Sequence, residues 1–176
     1  RILMVYSQQN IHFDVWDDEE EKVIDTEEVN VVDFIVTEIL EDELGFENPL
    51  FKRVFDEFAQ MLEKEQIPTE QHFINHPDPE ISTLAVNFFA QPHTVSERWK
   101  EHNVIVLTET DKLKQSILSS INVLKQRKME KMISELKSKL KELQDFDEQM
   151  KVQEVLKRYL DVYNKLCKET GTVVIK

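Results

Sequence analysis

The sequence predicts an all-α fold. A helical bundle over residues 1–124 is followed by a protruding antiparallel helical hairpin over 125–176, with one small β-hairpin near residues 11–24. Three observations lead there. The chain has two glycines in 176 residues, Gly45 and Gly171, and no proline after Pro92. Its second half keeps apolar residues at helical spacing: Leu113, Ile117, Ile121 and Leu124, then Met129, Ile133, Leu136, Leu140 and Leu143. Between the two runs lies Lys125-Gln126-Arg127-Lys128, without an apolar residue. At ~100° per residue, the jump from Leu124 to Met129 turns the stripe by roughly 140°. One long helix is therefore expected to serve two cores.

Taken in order, Ile2 to Tyr6 reads as the tail of a helix already under way, so the chain is taken for a piece of a longer protein. Ile11 to Trp16 alternates with period two, as a strand does, and Asp17 to Glu21 is an acidic turn from which Val23-Ile24 pairs back. Val32, Ile35, Val36 and Ile39 form a helical face expected to stop near Gly45. Asn48-Pro49 starts the next helix, a capping side chain followed by proline at the first helical position. Its stripe is Phe51, Val54, Phe55, Phe58, Met61 and Leu62. Pro68-Thr69 opens a short helix through Phe73 and Ile74, and Asp78-Pro79 repeats the capping device ahead of Ile81, Leu84, Ala85, Phe88 and Phe89.

After Pro92, Ser96 caps a turn of helix around Trp99, and Val104 to Leu107 is extended or irregular. Thr108 or Thr110 starts the long helix, which at ~1.5 Å per residue runs about 50 Å to Leu143. A turn over Gln144 to Glu148 leads into a last helix with Val152, Leu156, Tyr159, Tyr163 and Leu166 as its seam, and Val155, Leu160 and Cys167 beside it. That helix frays at Thr170-Gly171.

Composition excludes several functions. No apolar run reaches the ~18 residues of a membrane span, and no signal peptide is visible. One cysteine, Cys167, allows neither an intramolecular disulfide framework nor a zinc ribbon, and suits a reducing, cytoplasmic compartment. Two distant glycines cannot build a phosphate-binding loop, which needs several close together. Residues 1–108 carry 24 acids against 7 bases and residues 109–176 carry 11 against 15. The acidic body would repel a nucleic-acid backbone, whereas the basic arm could touch an acidic protein or a nucleic acid.

Few residues fall in patterns that carry chemistry. His72 and His76 stand four apart, as two metal ligands on one helix face do, but Pro77 biases His76 out of the helix and no cysteine or further histidine pair is near. Asp145-Phe146-Asp147 has the form of a magnesium-binding acidic pair, yet it lies between helices, where an aspartate caps. No serine belongs to a triad pattern. No catalytic residue, metal ligand or cofactor is assigned. The arm gives the functional signal, because its last helix is apolar over more than the one seam a two-helix hairpin can bury. The alternative is an arm folded back on the body, with these residues as core.

Phe46-Glu47-Asn48-Pro49-Leu50-Phe51, then Phe73-Ile74-Asn75-His76-Pro77-Asp78-Pro79-Glu80-Ile81, then Leu84-Ala85 and the Lys-rich long helix resemble the C-terminal region of bacterial replicative DNA primase. The similarity is nearest to primases of the Bacteroides kind and covers nearly the whole chain, in segment order and wording rather than in a catalytic signature. It implies a non-enzymatic helicase-binding domain. A bundle and a helical hairpin would contact the N-terminal domains of the replicative helicase, while the parent protein synthesises RNA primers as a nucleotidyltransferase of the primosome. The partner-binding residues would then be Phe146, Met150, Leu156, Tyr159, Leu160, Tyr163 and Leu166, divided between those facing the hairpin seam and those facing the helicase. Single-stranded-DNA-binding protein is a further candidate partner. The acidic turn at Asp17–Glu21 has no counterpart in the family pattern. Two other readings are the N-terminal collar domain of the helicase itself and a metal-dependent helical hydrolase built on His72, His76 and nearby acids.

Overall fold

The computed structural model describes residues 1–17, 22–90 and 112–169. The expected turn of helix at Ser96–Trp99, the segment Val104–Leu107, the starts at Thr108 or Thr110, most of the acidic turn and the fray at Thr170-Gly171 lie outside the described residues. What is described is mostly helical, with one two-stranded antiparallel hairpin. The elements are α1 (Ile2–Val5), β1 (Asn10–Asp17), β2 (Lys22–Asn30), α2 (Val31–Glu41), α3 (Pro49–Leu62), α4 (Glu70–Ile74), α5 (Pro79–Phe89), α6 (Leu113–Glu142) and α7 (Phe146–Glu169). None of these helices is long and apolar enough to cross a membrane. The chain divides into two compact units, 1–117 and 118–176, and the division falls within α6.

In the first unit the hairpin is longer than its alternating pattern suggested. Asn10 pairs with Asn30 and Asp17 with Lys22, with an irregularity between Val15 and Trp16. The acids of β2 hid the half nearer its base, since Asp25, Glu27 and Glu28 face water and break the alternation. Its base is anchored. The Phe13 and Phe34 rings lie 5.0 Å apart, and Lys114 stands 4.4 Å over Phe13 while its ammonium donates to the His12 carbonyl at 2.8 Å. The Thr26 N–H is taken by the Asp25 carboxylate at 2.8 Å, which helps blunt the exposed edge of β2.

Asn30 ends β2 and begins α2. Its Oδ1 accepts from the Val32 N–H at 2.8 Å, and its Nδ2 donates to the Ser7 and Gln9 carbonyls. The core of this unit is Met4, Val31, Val32, Val36 and Ile39 with Phe58, Phe73 and Ala85, the Phe58 and Phe73 rings 4.8 Å apart. Phe51, expected on the buried stripe of α3, stays 44% exposed.

As expected, α2 stops near Gly45, at Glu41, but the glycine is not the residue that ends it. Glu43 ends it, at φ 50, with the Glu43 N–H donating to Leu40 O and the Leu44 N–H to Ile39 O. This is the paired hydrogen-bond pattern of a left-handed C-terminus, for which glycine is the usual residue. Glu65, at φ 57, ends α3 in the same way, with the Gln66 N–H donating to Met61 O. Asn48 and Asp78 cap α3 and α5 as expected, each ahead of a proline at the first helical position.

Along α6 the buried face changes as the pattern required. Leu113, Ile117 and Ile121 are buried on one side, and Gln126 and Ile133 on another.

Candidate functional site

Residues 118–176 hold the second unit, where α6 and α7 run antiparallel around a short turn. Paired positions fix the register. Gln149 Nε2 donates to Leu143 O at 2.7 Å beside the turn, Tyr163 Oη donates to Glu130 Oε1 at 2.6 Å, and Gln126 Nε2 donates to Leu166 O at 3.3 Å at the open end. The turn is tighter than the expected Gln144–Glu148. The helix restarts at Phe146 because Asp145 caps it, its Oδ1 accepting from the Glu148 N–H at 3.0 Å. That is the capping role anticipated for the Asp145/Asp147 pair.

The seam buries Ile133, Gln126 and Cys167, the last completely. The glutamine amide is buried at no hydrogen-bond cost, since its Nε2 reaches the carbonyl of Leu166. The hydrogen bond to Glu130 above all, then that to Cys167, pushes the Tyr163 hydroxyl above the ordinary tyrosine range.

The seven anticipated partner-binding residues divide. Leu156, Tyr159, Leu160, Tyr163 and Leu166 are half-buried along the seam and its edges. Phe146 and Met150 are not, at 72% and 51% exposed. On a two-helix unit these two apolar side chains beside the turn stand in water. Two further exposed residues were not on the anticipated list, Val155 at 39% and Val162 at 49%. At ~100° per residue they occupy the flank of α7 roughly opposite Phe146 and Met150. Val155 and Tyr159 line a groove of 250 Å³ with Met132, Leu136, Glu135 and Lys139 of α6. The signal was in the sequence: Val155, Tyr159, Val162 and Leu166 step by four, three and four, a second stripe beside the seam.

His72 and His76 share one carboxylate partner. Both reach Glu57 of α3, His72 Nε2 to Oε1 at 2.6 Å and His76 Nε2 to Oε2 at 3.2 Å. His76 Nδ1 accepts from the Asp78 N–H at 3.0 Å, so the imidazole proton sits on Nε2 and is donated to the carboxylate. A cation on that Nε2 would need its lone pair there and the proton on Nδ1, against a backbone donor. Among the described residues no group of three or more candidate ligands is placed to hold a metal. One turn before Glu57, Arg53 bridges Asp78 at 2.6 Å and Glu80, the Glu80 hydrogen bond foremost in raising the guanidinium pKa. Ser82 Oγ closes the cluster on Ile74 O at 2.6 Å. The segment His76-Pro77-Asp78-Pro79-Glu80 is thus accounted for by the helix junction it builds. Glu57 had not been singled out, because its partners lie 15 and 19 residues further along.

The chain belongs to the family described as a domain of unknown function (DUF8430), whose profile matches residues 1–173. No curated protein and no solved structure matches it.

Proposed function

We propose that this chain is a non-catalytic docking domain whose α6–α7 hairpin binds a protein partner. The observation that carries this reading is the surplus of apolar surface on a two-helix unit. Phe146, Met150, Val155 and Val162 remain 39–72% exposed after the seam has closed. Burying such a side chain is worth roughly 1.5–3 kcal/mol, a gain left to a partner. The likeness of the Asn48-Pro49 and His76-Pro77-Asp78-Pro79 segments to the C-terminal region of bacterial replicative primase is what supports one choice of partner. The partner would be the N-terminal domains of the replicative helicase, and single-stranded-DNA-binding protein a second candidate. The parent protein would be a cytoplasmic primase that makes RNA primers at the fork. Tethering raises the effective concentration of primase there without any chemistry in this domain.

The test is binding of the purified chain to the helicase N-terminal domains from the same organism, with and without residues 129–176. The proposal expects binding by the full chain and none by the shortened one. Equal binding by both would move the interface to the first unit, and no binding by either would remove the helicase as partner.

A further inference from the structure

We draw no further inference here: the strongest candidate, the apolar cavity of 130 Å³ lined by Phe46, Phe51, Phe55, Leu84 and Phe88 in the first unit, has nothing in the structure to show what covers it.

Discussion

Tyr163 and Glu130 hold the two helices of the hairpin in register, the phenol donating to the carboxylate across the seam at 2.6 Å. The phenolic proton is retained above the usual tyrosine pKa of 10.0 because that donor is lost on ionisation. A group whose folded pKa is raised contributes stability that is complete below the unfolded pKa and is lost as pH climbs through the folded one. In a spectrophotometric titration, the Tyr163 phenol should therefore ionise above the usual tyrosine range. Glu130→Gln should lower it, and identical titration of wild type and variant would refute the assignment.

The two glutamates at positive φ give a prediction of opposite sign to most mutations. Glu43→Gly and Glu65→Gly relieve a left-handed cost of about 1–2 kcal/mol, less the extra chain entropy that glycine loses on folding. Nothing lies within 4 Å of a Cβ at Gly45, so that position imposes no such demand. Each Glu→Gly variant should raise the urea midpoint by the equivalent of about 0.5–1 kcal/mol, while Gly45→Ala should change it little.

Asp78 combines a helix cap with an ion pair, and the two can be separated. Asp78→Ala removes the acceptor for the Glu80 N–H and should cost about 1 kcal/mol in chemical denaturation. Asp78→Asn keeps a capping oxygen and loses only an exposed pair with Arg53, so it should cost a few tenths. Equal losses would mean that the ion pair, not the cap, holds α5.

Seam and surface should also separate. Ile133→Ala, in the buried seam, should destabilise the hairpin by roughly 2–4 kcal/mol. Phe146→Ser should leave the thermal midpoint unchanged, because the ring is 72% exposed. Deleting residues 129–176 should leave cooperative melting of the remainder, since Leu113 and Ile117 bury within the first unit. A broad, non-cooperative melt would show one shared core.

Much of this fold was readable in the sequence because its signals are local. Asn48-Pro49 and Asp78-Pro79 announce helix starts by their own chemistry, and the jump from Leu124 to Met129 announces a change of buried face. The residues that end α2 and α3 were not readable, although α2 does stop near Gly45. Glu43 and Glu65 adopt a conformation for which sequence rules look to glycine, so Gly45 drew the boundary. The partner of the histidine pair was not readable either. Spacing of four suggests a shared ligand, but the ligand is Glu57, brought in from another helix by tertiary packing. On the hairpin, spacing marked the apolar residues of α7 but could not tell seam from surface, because that depends on where α6 lies.

The central claim is that the hairpin carries the binding energy for a helicase partner. The most direct measurement is the affinity of the helicase N-terminal domains for single alanine variants at Phe146, Met150, Leu156, Tyr159, Leu160, Tyr163 and Leu166, each checked for helicity by circular dichroism. The account predicts that at least one variant with unchanged helicity loses about 2 kcal/mol or more of binding. Wild-type affinity at all seven positions would contradict it.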